Sequence, residues 1–124
     1  MRNSSGFTLI ETMIALSLFG FVIVPIMQSA VQYLRYNTEA EWRTEALQVA
    51  QRKLEELREV DPTTLPSSGS QTSSMTAGTR SYSVVTAYCN NSSYCTTNSR
   101  HIKVTVSYKS KARASMETVY TALK

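Results

Sequence analysis

The sequence has few of the residues from which enzyme active sites are built. It contains one histidine, His101, and one aspartate, Asp61, which lie 40 residues apart. Its four glycines form no phosphate-binding loop, and no cluster of side chains has the spacing of metal ligands. At 124 residues the chain has room for one domain, which excludes a large nucleotide-binding or barrel enzyme. We therefore predict no catalytic residue, no metal site and no cofactor, and we expect a protein that is not an enzyme.

Cysteine is also scarce, with two in the chain, Cys89 and Cys95. A structural zinc site needs about four ligands, and His101 is the only histidine nearby, which argues against zinc. Two cysteines in a domain exported to an oxidising compartment usually form a disulfide. We predict a disulfide between Cys89 and Cys95.

Charge is absent from a long stretch near the amino terminus. Between Glu11 and Arg35 lie 23 residues without a formal charge, most of them apolar. About 20 such residues span a bilayer as a helix. Only about 90 residues then remain for a water-facing head, and a core of that size usually needs a staple or a long helix to pack on.

Acidic residues are nearly absent from the second half. Residues 7–61 hold five Lys or Arg against eight Asp or Glu, a net charge of −3, whereas residues 62–124 hold seven against Glu117 alone, a net charge of +6. An acidic stalk and a basic head favour contact between the head of one copy and the stalk of another. The same asymmetry allows the head to attract a nucleic acid or a membrane surface.

A group of basic and aromatic residues in the head allows two interpretations. Its members are Lys103, Tyr108, Lys109, Lys111 and Arg113. They could bind a phosphate backbone, which would make nucleic acid a partner. Lysines at strand edges also protect sheets against aggregation, and this is the commoner role.

The first six residues, Met1 to Gly6, form a short polar leader with one positive charge, Arg2. A secretory signal has its small-residue cleavage site after the apolar segment, whereas Gly6 comes before it. A cut after Gly6 would leave the hydrophobic segment on the mature protein. The alternative is an uncleaved signal anchor, in which Arg2 keeps the amino terminus inside.

Glu11 places a carboxylate at the edge of the apolar run. An ionised group in hydrocarbon is costly, and such groups are usually functional and have a nearby partner. The next cation along the chain is Arg35, which is outside helical reach. The partner must therefore come from elsewhere, and an amino terminus freed by cleavage is a candidate.

The start of the apolar stretch carries a specific motif, Gly6-Phe7-Thr8-Leu9-Ile10-Glu11. This motif resembles the amino-terminal signature of type IV pilins and of the pseudopilins of type II secretion. In that family a membrane-embedded prepilin peptidase cuts after the glycine and methylates the new amino terminus. The resemblance implies processing at Gly6 and Phe7, N-methylation of Phe7 and an assembly role for Glu11.

Pro25 lies inside the apolar segment, somewhat earlier than the helix proline common in major pilins. Proline cannot donate a helix hydrogen bond to the Phe21 carbonyl, and Gly20 weakens the local helix further. We expect a helix kink or an unwound stretch between Gly20 and Pro25. Such a kink would give the helix flexibility during extraction or packing. The alternative is that Pro25 is tolerated in a membrane helix and has no role.

Beyond Arg35 the helical pattern continues with a polar face. Apolar residues recur at spacings of seven, three, four and three, at Ala40, Leu47, Ala50, Leu54 and Leu57. Asp61-Pro62 ends the pattern, because proline disfavours helical geometry in the residue before it. The sequence predicts one helix from Thr8 to Val60, with an apolar first half and an amphipathic second half.

The remaining residues predict a small antiparallel sheet. Residues 63–78 are rich in Ser, Thr and Gly, which predicts a loop. The strand candidates are 82–89, 101–108 and 116–123, and the second alternates with Ile102, Val104, Val106 and Tyr108 on one face. A basic hairpin at 109–114 is expected to link the last two strands.

The expected fold class is α+β, a pilin-like lollipop in which one long N-terminal helix packs on a small antiparallel β-sheet. The expected divisions are a leader peptide at 1–6, a transmembrane and assembly half of the helix at 7–34, an amphipathic half at 35–61 and a sheet head with a disulfide loop at 62–124.

The resemblance implies a structural subunit of a type IV pilus or a type II secretion pseudopilus, similar to the low-abundance minor subunits that prime assembly or lie near the tip. The implied partners are other pilin or pseudopilin subunits, prepilin peptidase, the inner-membrane assembly platform and membrane lipid before assembly. The implied location is the inner membrane, single-pass with the head outside the cytoplasm, and then an extracellular pilus or a periplasmic pseudopilus. Two alternatives stay open: a DNA-binding pilin of a DNA-uptake pilus, and a membrane-anchored binding or enzymatic domain.

Overall fold

The computed structural model describes residues 6–122. These residues form α1 (Leu9–Arg58), β1 (Gly69–Ala77), β2 (Arg80–Tyr88), a 3₁₀ helix (Ser92–Tyr94), β3 (Ser99–Tyr108) and β4 (Lys111–Thr121). Residues 1–5 of the predicted leader and Leu123 of the predicted last strand lie outside the described residues. The chain divides into two compact units, Met1–Glu39 and Ala40–Lys124, and α1 contributes residues to both.

The first unit contains the apolar part of α1. The helix begins after Thr8, whose carbonyl accepts hydrogen bonds from the backbone N–H groups of Glu11 at 3.1 Å and Thr12 at 3.2 Å. Side-chain hydroxyls in this segment are satisfied locally, since those of Thr12, Ser17 and Ser29 donate to backbone carbonyls three or four residues earlier. These hydroxyl groups therefore need no water as a hydrogen-bond partner and can lie in an apolar environment.

Most apolar side chains among residues 7–39 are exposed. The exposed fraction reaches 84% at Phe21 and is still 51% at Val31, whereas Ile23 is partly buried. An apolar 18-residue window of α1 has a mean hydropathy of 2.2, and the helix is long enough to cross a membrane. By length and composition, α1 is a candidate membrane span.

The helix is continuous through Pro25. All residues from Gly20 to Pro25 are helical, so the expected unwound stretch is absent from the structure. The Ser29 hydroxyl donates to the Pro25 carbonyl at 2.9 Å within the same helix. A kink or local unwinding at Pro25 in the membrane or in a filament stays a prediction.

In the second unit α1 contributes a buried apolar face, formed by Ala46, Val49, Ala50, Leu54 and Leu57. Two members of the predicted stripe do not belong to it, since Ala40 is exposed and Leu47 is 44% exposed. The stripe prediction is wrong at these two positions because the buried face includes Ala46 and Val49, and Leu47 lies at its border.

The sheet is an antiparallel meander with the strand order β1-β2-β3-β4. At its centre Val84 of β2 lies opposite Val106 of β3, and Thr86 lies opposite Val104. These strands and the buried face of α1 share one core, whose strand members include Tyr82, Val84, Tyr88, Ile102, Val104 and Val106. The structure confirms the predicted α+β class and the predicted inward face of β3.

The sheet has one strand more than the sequence predicts. β1 lies inside residues 63–78, so the loop prediction is wrong there. Its register pairs Ser73 with Val84 and Met75 with Tyr82, so backbone pairing to β2 holds a mainly polar strand at the sheet edge. β4 also begins at Lys111 rather than at Met116, because only two residues, Lys109 and Ser110, form the turn before it.

Candidate processing and assembly site

The predicted cleavage position lies before the helix begins. Gly6, Phe7 and Thr8 are not helical, and the Phe7 side chain is 79% exposed. A Cβ atom added at Gly6 would have no heavy atom within 4 Å other than its own chain neighbours. The peptide bond between Gly6 and Phe7 is therefore in an exposed, non-helical segment, as a peptidase substrate must be.

Glu11 lies in the first turn of α1, where the helix macrodipole favours a negative charge. Its side chain is exposed, and within residues 6–122 it forms no ion pair. The next large apolar side chains, Met13 and Ile14, are exposed as well. The arrangement presents one carboxylate at the start of an exposed apolar helix.

A second group of charged residues lies in the second unit and was missed by the sequence analysis. Arg80, at the start of β2, donates to Glu41 at 3.0 Å and to Glu45 at 2.7 Å, both on α1. The Tyr82 hydroxyl donates to the other oxygen of Glu45 at 2.5 Å. Glu41 and Glu45 are four residues apart and therefore lie side by side on one face of the helix. This spacing, visible in the sequence, indicates two acids that can share one cation.

These contacts shift the pKa values of the three groups that meet at Glu45. The hydrogen bond from Tyr82, and then the one from Arg80, lower the pKa of Glu45 below its ordinary value. Burial, and then the bond to Glu45, raise the pKa of Tyr82 to about 12. The bonds to Glu41 and Glu45 raise the pKa of Arg80, which keeps its charge. The group fixes the position of β2 on the helix.

Three of the basic and aromatic residues noted in the sequence, Tyr108, Lys109 and Arg113, meet at Trp42, which was not among the predicted residues. The Trp42 ring lies 5.4 Å from the Tyr108 ring. The Lys109 ammonium is 5.2 Å and the Arg113 guanidinium 4.8 Å from the Trp42 ring centroid, which is cation–π distance. We call Trp42, Tyr108, Lys109 and Arg113 the Trp42 cluster.

Lys103 does not join the Trp42 cluster. It lies between the inward-facing Ile102 and Val104 of β3 and therefore points to the opposite face of the sheet. There its ammonium contacts Glu117 at 2.7 Å, and this contact is the main cause that lowers the pKa of Glu117. The predicted phosphate-binding set is thus divided between two faces.

Cys89 and Cys95 are joined by a disulfide that closes the loop between β2 and β3. The backbone N–H of Cys89 donates to the His101 carbonyl at 2.8 Å, and the backbone N–H of His101 contacts the Cys95 sulfur at 3.3 Å. The buried His101 side chain lies 3.5 Å from Glu117, whereas the Asp61 carboxylate accepts hydrogen bonds from Thr63. Among residues 6–122, no group of three or more His, Cys, Asp or Glu is placed to hold a metal ion.

A protein-family model described as the prokaryotic N-terminal methylation motif matches residues 1–27. The chain has a prepilin-type amino terminus. This match supports the resemblance of the amino-terminal residues to those of type IV pilins and pseudopilins. No curated protein and no solved structure matches the chain.

In this pilin-like chain, the matched residues include Gly6, Phe7 and Glu11. The motif and the apolar helix together indicate anchoring in a membrane and then assembly into a pilus or pseudopilus. The groups around Arg80 and Trp42 lie outside the matched residues and are known from the structure.

Proposed function

We propose that the chain is a low-abundance structural subunit, which primes assembly or lies near the tip of a type IV pilus or a type II secretion pseudopilus. The observation that carries the proposal is the motif at residues 1–27, followed by an apolar helix with exposed side chains. The small head, with four strands, is consistent with a minor subunit.

Processing would occur at the exposed bond between Gly6 and Phe7. Prepilin peptidase would remove the leader in the inner membrane and methylate the amino terminus of Phe7. The apolar part of α1 would first lie in lipid, with the head outside the cytoplasm. The assembly platform would then extract the subunit, and lipid around the helix would be replaced by the helices of neighbouring subunits.

Glu11 would guide that replacement. A carboxylate among apolar helices is costly unless a cation lies beside it. The methylated amino terminus of Phe7 stays positively charged and lies four residues away in the same chain, so a pair within one subunit is one arrangement. In a filament, the amino terminus of an adjacent subunit can pair with Glu11 instead. Because residues 12–34 carry no formal charge, such a pair would fix the axial register.

The test is the incorporation of Glu11 variants into filaments. Glu11→Ala is expected to lower the amount of subunit in sheared filaments at least about tenfold, because it removes one member of a buried charge pair. Glu11→Gln should be nearly as poor, since it keeps the size but not the charge. Both variants should still be inserted and cut after Gly6, as judged by immunoblots of membrane fractions.

The matched control is Glu59→Ala, which removes an exposed acid from the second unit. It should be incorporated like the wild type. Normal filament content of Glu11→Ala would contradict the charge-pair mechanism for this subunit. If the chain were instead a membrane-anchored binding or enzymatic domain, the wild-type protein would be absent from filaments.

A further inference from the structure

The turn between β3 and β4 carries a concentrated positive charge on a constrained backbone. Lys109 and Ser110 both have left-handed φ angles, 52° and 60°, as a two-residue hairpin turn requires. Lys109, Ser110 and Lys111 are exposed, and Arg113 is partly buried beside Trp42. The segment from Tyr108 to Ala114 has three cations and no acid.

The aromatic rings hold this charge in place. Lys109 lies over two rings, 5.2 Å from the centroid of Trp42 and 5.6 Å from that of Tyr108. A cation over an aromatic ring keeps its full charge and can still bind an anion on its other side. Two acids of α1 near Trp42, Glu41 and Glu45, are both bound to Arg80. Lys109, held over the two rings and exposed, is therefore placed to bind a phosphate group.

Trp42 is close in the sequence to the end of the apolar segment. Trp42 lies seven residues after Arg35, the first charge beyond that segment, and seven residues span at most about 25 Å even when fully extended. Tyr33 and Tyr36, on either side of Arg35, are 67% and 71% exposed. Tyrosines at this position are typical of the membrane–water interface. This limit on distance holds for any arrangement of the two units.

We propose that the Trp42 cluster, through the ammonium group of Lys109, binds the anionic phospholipid headgroups of the membrane in which the apolar helix is inserted. Juxtamembrane cations are attracted to such surfaces, and tryptophan and tyrosine are favoured beside them. A nucleic acid would be attracted by the same charge, but only the membrane surface is held within reach by the chain itself. The contact would hold the head on the membrane until extraction. This inference rests on the proposed membrane insertion of the subunit.

Trp42 provides the readout because it is the one tryptophan of the chain. The full-length protein is reconstituted in lipid nanodiscs that contain phosphatidylcholine alone or a mixture with phosphatidylglycerol. Discs of each composition are prepared with and without a nitroxide on a fraction of the phosphatidylcholine headgroups. Quenching is measured as the ratio of Trp42 fluorescence without the nitroxide to that with it. The variants are Lys109→Gln and its matched control Lys103→Gln, which removes the same charge from the opposite face of the sheet.

Quenching is expected to be greater in the discs that contain phosphatidylglycerol. In 0.5 M salt it should fall to the value of the neutral discs, because the Debye length is then about 4 Å and the attraction between the charges is screened. Lys109→Gln should weaken the contact on the order of fivefold, whereas Lys103→Gln should behave like the wild type. The salt titration of the wild type supports or contradicts the proposal even if a variant is poorly folded.

Three results would overturn the proposal. The first is quenching that does not depend on phosphatidylglycerol, and the second is an equal effect of the two variants. The third is a duplex oligonucleotide that changes Trp42 fluorescence at physiological salt while anionic discs do not, which would assign the cluster to nucleic acid. Failure of the chain to enter the discs would instead contradict the proposed function, and the inference with it.

Discussion

At the scale of single residues, Tyr82 shows how the head satisfies a polar atom in its core. The side chain is fully buried, its hydroxyl donates to Glu45, and its ring lies 5.1 Å from that of Tyr108. A buried hydroxyl without a partner is unfavourable by about 1–3 kcal/mol, so the acid on α1 permits tyrosine at this position. The sequence could not show this pair, because its members lie 37 residues apart and meet only through packing.

Tyr82→Phe removes this hydrogen bond without emptying the core. The free energy of unfolding is expected to fall by about 1–2 kcal/mol, as measured by urea titration of the full chain in detergent. Tyr120→Phe is the matched control, since its hydroxyl donates to the Leu54 carbonyl at 2.7 Å, which does not titrate. Both variants should lose stability at neutral pH.

The pH dependence distinguishes the two variants. Because the pKa of Glu45 is lowered in the folded state, its contribution to stability is present above the ordinary value of 4.5 and is lost as the pH falls through the lowered value. The stability difference between wild type and Tyr82→Phe should therefore shrink from about pH 6 to about pH 3. The difference for Tyr120→Phe should stay constant over that range. A constant difference for Tyr82→Phe would contradict the assigned role of Glu45.

At the scale of elements, the centre of the sheet was predictable and its edge was not. The alternation of Ile102, Val104 and Val106 identifies β3, because one face of that strand is buried against the helix. β1 has no such alternation of large apolar residues, since it lies at the sheet edge and is held by backbone pairing to β2. Its Ser- and Thr-rich composition is also that of a loop.

The disulfide between Cys89 and Cys95 closes the loop between β2 and β3. The two cysteines are separated by 6 positions, and closing a loop of that length stabilises the fold by about 2 kcal/mol in the chain-entropy model. Replacing both Cys89 and Cys95 by serine should lower the free energy of unfolding by about that amount, measured by urea unfolding with Trp42 fluorescence. Reductant should have the same effect on the wild type and none on the variant. An unchanged midpoint in both experiments would mean that the loop is held by its other contacts.

At the scale of the whole molecule, the two units differ in how far the sequence predicts them. Gly6, Phe7 and Glu11 lie within one short motif, so the functional prediction needs only the order of neighbouring residues in the sequence. In the second unit, the bonds from Arg80 to Glu41 and Glu45 join residues 39 and 35 positions apart. Contacts of that separation depend on how the helix packs on the sheet, which the sequence pattern indicates only in outline.

The central claim is that the chain is processed as a pilin. Gly6→Val should retain the leader, because a glycine without a side chain suits a tight peptidase site. The fold itself has room for the new side chain, since a Cβ at Gly6 meets no heavy atom within 4 Å. Gly20→Val is the matched control, as Gly20 is equally unobstructed and lies inside the helix, and it should be cut normally.

The mass of the amino-terminal peptide from assembled wild-type material tests this claim most directly. The account predicts a mature chain that begins at N-methylated Phe7, with no peptide that contains residues 1–6. An intact Met1 in assembled material would contradict it.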